Sequence, residues 1–399
     1  MRVLISATGT AGHFLPCVPV ARACRDAGHD VRIAVPASFA DQARQSGLDV
    51  FAFDDPSSAE VAAVFGPIGE RMKRHPDSAF DPRLRAETDR TVVREMFGRV
   101  DARAALPKLR DLVRQWRPDV IVRDPAEVAS LVVAEESGIR SLRCAIGTIS
   151  MLQMFTDALG GPFAEWEREA GLEPRSLTRS ARESPIITTV PPTFDAADMD
   201  VAAPRSIVRF RSALPDPSAA SLPEWGDPDA PLVYVTFGSV AATMPFGPLF
   251  RSVLAALADM PIRVLLTTGH AGSPEELRPW PPNAHVETWW PQDEAMTEAV
   301  AVIGHGGFGT TMAALAAGVP QVVLPLFTGD QAINASRVDA CRAGVRVDLG
   351  HDPAGQLRTA LTRVLDDTAY RAGAQRLRDE IAELPPVSSV VHAIVAPAS

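Results

Sequence analysis

Gly304-His305-Gly306-Gly307-Phe308-Gly309-Thr310-Thr311 follows the apolar run Ala301 to Ile303 and precedes the helix-forming run Met312 to Ala317. A buried strand, a glycine turn and a helix in that order put the turn at the carboxyl end of a parallel strand, where open α/β sheets bind their ligands. The first NH groups of a helix lack partners within it and together carry about half a positive charge. Glycines that let an anion come close therefore make a phosphate cradle, to which Thr310 and His305 add side-chain donors. Between Arg278 and Arg337 there is neither lysine nor arginine, so such a cradle rests on backbone NH groups, hydroxyls and His305. A tight strand-to-helix turn that simply needs small residues is the competing use of the same glycines.

Reading outward, Leu232 to Phe237 is expected to be a strand, Gly238-Ser239 a loop, about Pro248 to Ala258 a helix and Arg263 to Thr267 the next strand. Gln321 to Leu324 is a later one. The N-terminus repeats the scheme: strand Val3 to Ala7, loop Thr8 to Gly12, helix Phe14 to Cys24, a stop at Gly28 and strand Val31 to Val35. Two βαβ starts predict an α/β protein of two Rossmann-like domains, and 399 residues with 46% apolar content suffice for two cores. We expect the first domain at 1–212, a proline-rich linker at 213–230, the second domain at 231–380, and a C-terminal helix at 381–399 packing back on the first domain. From Ser57 to Trp116 the pattern is helical and polar, with breaks expected at Pro67, Pro76, Pro82 and Pro107, before the strand Asp119 to Val122. So long an excursion between strands suits a variable binding wall.

The formal net charge of −10 argues against nucleic acid as a partner, because that affinity needs clustered Lys and Arg. No stretch approaches the ~18 apolar residues of a membrane span, and none at the N-terminus reads as a signal peptide. Cys17, Cys24, Cys144 and Cys341 are scattered without a C-x-x-C pair, which fits a reducing, cytoplasmic setting.

The chain resembles, over essentially its whole length, the bacterial GT-B glycosyltransferases that decorate antibiotics and other natural products. The resemblance rests on G-x-x-G-H-x-x-P at Gly9 to Pro16, T-F-G-S at Thr236 to Ser239, W-x-P-Q at Trp289 to Gln292, H-x-G-x-G-T at His305 to Thr310 and P-x-x-x-x-D-Q at Pro325 to Gln331. It implies a GT-B fold, two Rossmann-like domains facing each other across a cleft. It also implies that Trp289, with Trp290 beside it, stacks on a nucleotide base and that Gln292 lies near base and ribose. Ser239, His305, Gly306, Gly307, Gly309 and Thr310 would hold the diphosphate, and Asp330 and Gln331 the sugar hydroxyls. A core position for Trp289 and a helix N-cap for Asp330 remain open on the residues alone.

His13, at the mouth of the first strand, is the expected general base. Imidazole, with a reference pKa of ~6.5, can take the proton of an attacking hydroxyl near neutral pH. Capping the helix Phe14 to Cys24 is the plainer use of a lone histidine there. The family pattern implies that Asp124 orients His13, although Asp124 also reads as an Asp-Pro turn with Pro125. Phe14, Met151 and Phe155 are expected on the acceptor wall.

The implied reaction is a single displacement with inversion, using a nucleotide-diphosphate sugar as co-substrate and no metal or other cofactor. Asp198-Met199-Asp200 and Asp227-Pro228-Asp229 read as solvated loops rather than as a D-x-D metal motif. The plant relatives carry a Glu for the ribose hydroxyls where this chain has Ala313, which points to a dTDP-sugar rather than a UDP-sugar. A polyketide, macrolide, enediyne or flavonoid aglycone would each fit as the small-molecule partner; a homodimer and an auxiliary activator stay open. The alternatives are a nucleotide-sugar epimerase on the same scaffold and a non-catalytic partner of a transferase. A dinucleotide oxidoreductase is disfavoured because Gly9-Thr10-Ala11-Gly12-His13 departs from G-x-G-x-x-G.

Overall fold

The computed structural model describes the chain except for residues 75–81, 196–205, 212–221, 239–246, 270–271, 327, 349–352 and 397–399. It divides into two compact units. The first comprises Met1–Val190, Asp198–Arg211 and Leu384–Ser399; the second comprises Pro191–Ala197 and Ser212–Glu383.

Among the described residues of the first unit, seven parallel strands run in the order β3-β2-β1-β4-β5-β6-β7. They are β1 (Arg2–Ser6), β2 (Asp30–Pro36), β3 (Asp49–Phe53), β4 (Val120–Arg123), β5 (Arg140–Cys144), β6 (Ile186–Thr188) and β7 (Ile207–Arg209). The second unit has a parallel sheet in the order β10-β9-β8-β11-β12-β13. Its strands are β8 (Leu232–Thr236), β9 (Arg263–Thr267), β10 (Ala284–Glu287), β11 (Ala299–Gly304), β12 (Gln321–Val323) and β13 (Gly344–Arg346). Both sheets are buried on their two faces, so their strands read as near-continuous apolar runs without alternation.

The strand order fixes where chemistry can sit. In the first unit the chain winds outward in one direction from β1 and in the other from β4; in the second unit β8 and β11 hold the same positions. The crevice at the carboxyl ends of such a strand pair is the ligand site of doubly wound sheets. His13 and Asp124 follow β1 and β4, and Gly238 and His305 follow β8 and β11.

Several elements differ from expectation. The helix expected from Phe14 to Cys24 is two pieces, Ala11–Phe14 and Cys17–Asp26, split around Leu15 and Pro16. Pro67 and Pro107 do not break the helical excursion but lie inside the helices Ser58–Arg74 and Ala102–Trp116. Pro82 opens Pro82–Thr91, and Pro76 falls outside the described residues.

The undivided first domain expected at 1–212 is also interrupted, because Pro191–Ala197 groups with the second unit. The buried Arg337 guanidinium donates to the carbonyls of Thr193 and Phe194 and lies over the Phe194 ring, so a single cation fastens that segment. Leu384–Ser399 groups with the first unit. There Val390, Val391 and Ile394 enter its core, and Arg140 donates to the carbonyls of Ala393, Ile394 and Ala396 at the end of their helix. The first half of the expected linker 213–230, residues 213–221, lies outside the described residues.

Candidate active site

In the first unit, Asp124 leaves β4 completely buried and collects donors from three directions. The backbone NH and hydroxyl of Thr8 reach Oδ2 at 3.3 and 3.1 Å, and the Ala126 NH reaches Oδ1 at 3.0 Å. His13 donates from Nδ1 to Oδ2 at 2.7 Å. Burial alone would raise the Asp124 carboxyl. The His13 ring and the hydrogen bonds from His13, Ala126 and Thr8 outweigh it and hold the group below the usual carboxylate range.

An ionised partner on Nδ1 keeps the proton there, which leaves Nε2 with a lone pair. The His13 side chain is 19% exposed, so the ring is supported without being sealed. Helix capping is not its use, since the following helix has no side-chain cap bond at its start. Cys17 beneath it stays a thiol, pushed up by its hydrogen bond with Cys144 and by burial.

One neighbour of the base was not anticipated. Val92–Asp101 is a π-helix, and its Phe97 leans on the His13 ring at a centroid distance of 5.6 Å and stacks on Phe155 at 6.2 Å. Away from His13, a cavity of about 500 Å³ lies between this helix and Ser58–Arg74, lined by apolar residues such as Ala63, Val64 and Ile68 and equally by polar ones, among them Glu60, Arg71 and Glu95.

In the second unit, β11 ends at Gly304 and the helix Phe308–Ala317 begins after Gly307, its N-cap. Gly306 has φ +85°, and its carbonyl accepts from Asn334 Nδ2 at 2.8 Å. The His305 imidazole lies so close over the loop that a Cβ on Gly307 would stand 2.4 Å from its Nε2, and one on Gly238 2.8 Å from its Cε1. Gln292 Nε2 donates to the Thr310 hydroxyl at 3.0 Å, which leaves that hydroxyl's own proton free to be given to an anion. Trp289 is 56% exposed, whereas Trp290 packs against the core around Leu232, Tyr234 and Val302.

The two halves of the chain match the descriptions "Erythromycin biosynthesis protein CIII-like, N-terminal domain" over residues 22–236 and the corresponding C-terminal domain over residues 251–396. The chain belongs to this CIII-like family. It is 28% identical to the L-demethylnoviosyl transferase of Streptomyces niveus over 99% of this chain and 98% of that one. It is 27% identical to the TDP-daunosamine transferase DnrS of Streptomyces peucetius over 98% and 95%. The solved structure of the glycosyltransferase SnogD from Streptomyces nogalater superposes with a TM-score of 0.73 at 26% identity, covering 100% of this chain and 99% of that one. The protein is therefore a GT-B glycosyltransferase of antibiotic biosynthesis, an enzyme that passes sugars to aglycones. The epimerase and partner-subunit alternatives gain nothing from relatives that are themselves named as transferases.

Within this glycosyltransferase several expected contacts turn out to be internal. Phe14 is not on an acceptor wall: the break at Pro16 turns its ring into the core, edge-on to Phe39. Met151 is buried as well, against Gly147. Phe155 is buried behind Phe97, so Phe97 is the more accessible of the stacked pair. Trp290 is half-buried against the core around Leu232 and Tyr234. The Gln331 side-chain oxygen accepts the Leu326 NH at 2.9 Å inside the protein. Asp330 sits in the first turn of Gly329–Ala340 and is not its N-cap, which is Thr328. Gly309 is exposed, with open space around its Cβ position. Ser239 lies outside the described residues, as do Asp198 and Asp200; the Asp227 carboxylate turns back to the Asp229 NH.

Burial lowers His305 to about 4, so at neutral pH it is an uncharged donor or acceptor and not a cation. The unfolded chain protonates this residue below ~6.5 while the folded chain resists until about 4. Its contribution is thus intact above pH ~6.5 and is lost as the pH falls toward about 4, by roughly 3 kcal/mol in all. Urea denaturation between pH 8 and 4 is expected to show this slope in the wild type and a shallower one in His305→Asn. Equal slopes would mean that the imidazole is not held neutral.

Proposed function

We propose that this glycosyltransferase works by a single displacement that inverts the anomeric carbon, taking its sugar from a dTDP-linked donor and placing it on a hydroxyl of a hydrophobic aglycone. The observation that carries the reading is the 2.7 Å bond from His13 Nδ1 to a fully buried, ionised Asp124. It fixes the tautomer that leaves Nε2 as a base. The acceptor O–H gives its proton to Nε2, the oxygen bonds to the anomeric carbon, and the carbon–diphosphate bond breaks with its electron pair on the leaving group. Asp124 stabilises the imidazolium without taking its proton.

For the departing diphosphate the second unit offers the helix start at Gly307–Gly309, the Thr310 hydroxyl and a neutral His305. Oriented dipoles of this kind stabilise developing charge without reorganising. The exposed indole of Trp289 offers flat apolar area to a base. The partly exposed Phe97 ring against His13 offers apolar area to a hydrophobic acceptor. A thymidine donor is favoured by Ala313, which offers no carboxylate to a ribose 2′-hydroxyl, and by the TDP-sugar named for DnrS.

Calorimetric titration is expected to show dTDP binding about tenfold tighter than UDP, or ~1.4 kcal/mol. Equal or tighter UDP binding would overturn the donor assignment. Products from a panel of dTDP-sugars and aglycones, with the anomeric configuration read by NMR, test the rest, and retention would rule out the single displacement.

A further inference from the structure

The phosphate loop of the second unit is joined to a row of buried polar groups for which the family pattern gives no reason. Tyr234 leaves the middle of β8 with its ring fully buried among Leu265, Met296 and Val302. A tyrosine in such a core needs a partner for its hydroxyl. The Tyr234 hydroxyl has one in the Thr267 hydroxyl of β9, 3.2 Å away, and it also comes within hydrogen-bond reach of the Thr236 and Gln292 side chains. Gln292 opens the helix Gln292–Glu298, whose Ala295 and Met296 belong to the same cluster as Tyr234. From there its Nε2 donates to the Thr310 hydroxyl at 3.0 Å, and Thr310 is itself buried in the first turn of Phe308–Ala317. This bond turns the Gln292 amide nitrogen toward the phosphate loop, whereas the family pattern puts the side chain near base and ribose.

An amide has two unlike ends. With Nε2 on Thr310, the Thr310 oxygen accepts and its one proton is free to leave the loop. With Oε1 there instead, Thr310 would donate inward and present only lone pairs to an anion. The two orientations differ by a hydrogen bond to a charged group, which is the strong kind. Tyr234 selects between them: its hydroxyl takes the Thr267 proton and gives its own to Oε1, so that every donor in the row points outward to Thr310.

We propose that Gln292 is a positioning residue for the leaving group: its amide, oriented by the Tyr234 hydroxyl, holds the Thr310 oxygen as an acceptor and so turns the Thr310 proton toward the diphosphate. Gln292 thus acts on the phosphates through Thr310 and not on the nucleoside. The inference rests on the proposed seat of the diphosphate at the start of Phe308–Ala317.

Calorimetric titration of the full chain with dTDP and with thymidine separates the roles, because thymidine carries base and sugar without phosphates. Gln292→Met keeps the length of the side chain and removes both ends of the amide. It is expected to weaken dTDP about tenfold and to leave thymidine within about twofold. In a Thr310→Val background, where no hydroxyl is left to aim, Gln292→Met should weaken dTDP by less than about twofold further. Should methionine unfold the protein, Tyr234→Phe decides by the same comparison, with dTDP weaker by about threefold or more and thymidine unchanged. Thymidine affinity that falls as far as dTDP affinity, losses from Gln292→Met and Thr310→Val that simply multiply, or dTDP affinity unaltered in Gln292→Met each overturn the proposal. Thr310→Val alone tells the two readings apart. If it leaves dTDP affinity unchanged, the proposed seat falls and this inference with it. If it weakens dTDP while Gln292→Met does not, the seat stands and this inference alone is overturned.

Discussion

Replacing His13 by alanine is expected to lower turnover about 10³-fold, within the range a positioned general base contributes, while dTDP affinity stays within about twofold. The asymmetry follows from where the groups lie. His13, Thr8 and Asp124 belong to the first unit, whereas His305, Thr310 and Trp289 belong to the second, so the substitution touches no group proposed to hold the donor. It does leave Asp124 buried and stripped of its strongest donor. Thr8 and Ala126 still hold the carboxylate, so the unit should fold, at a cost in stability that urea denaturation will read. Added imidazole should restore part of the rate in His13→Ala by occupying the vacated space beside Asp124. Turnover that survives the substitution within a few-fold would remove the base from His13. A matching collapse of dTDP affinity would mean that the residue supports the fold instead.

The scheme of two parallel sheets was legible because a strand buried on both faces is an unbroken apolar run, and each βαβ start is punctuated by glycine. The pairing of His13 with Asp124 was legible through the family pattern, and the topology gives its physical reason. Asp124 directly follows β4, and His13 lies in the short helix that follows β1, the neighbouring strand, although 111 residues separate them. What escaped the sequence depends on packing. Helical periodicity places Phe14 on an apolar face but does not say which way the chain turns at Pro16, and that turn sends the ring inward. Trp289 and Trp290 are neighbours in the chain, and only the fold decides which indole faces solvent. The π-helix carries no sequence signature, since it arises with a glycine pressed against Pro162 and a carbonyl taken by Trp166. Phe97, an aromatic residue in a helical run, was the available hint. A partner such as His13 cannot be assigned to that face without the tertiary contact.

Alanine at Gly306 and at Gly309 should separate the two demands made on the phosphate loop. Gly306 has φ +85°, and a Cβ there would stand 2.8 Å from the Gln331 carbonyl oxygen and 2.9 Å from Val323 Cγ1. Neither atom can retreat cheaply, because Gln331 belongs to the helix Gly329–Ala340 and Val323 to β12. Relief requires the loop to lift, which breaks the Asn334 bond to the Gly306 carbonyl and displaces the helix start at Gly307. Left-handed strain of about 1–2 kcal/mol plus the clash and the lost hydrogen bond should total roughly 3–4 kcal/mol in Gly306→Ala. dTDP affinity should fall with it. Gly309 presents the opposite case: it is exposed in the first turn of the helix, and an added Cβ meets nothing within 4 Å. Alanine there should hold or raise stability by up to about 1 kcal/mol through helix propensity. If a diphosphate rests on this helix start, the new methyl intrudes on its approach, and dTDP should bind at least about tenfold more weakly, ~1.4 kcal/mol. Gly309→Ala with wild-type dTDP affinity would place the diphosphate away from this turn, and with it would go the assignment of Thr310 and His305 to the leaving group.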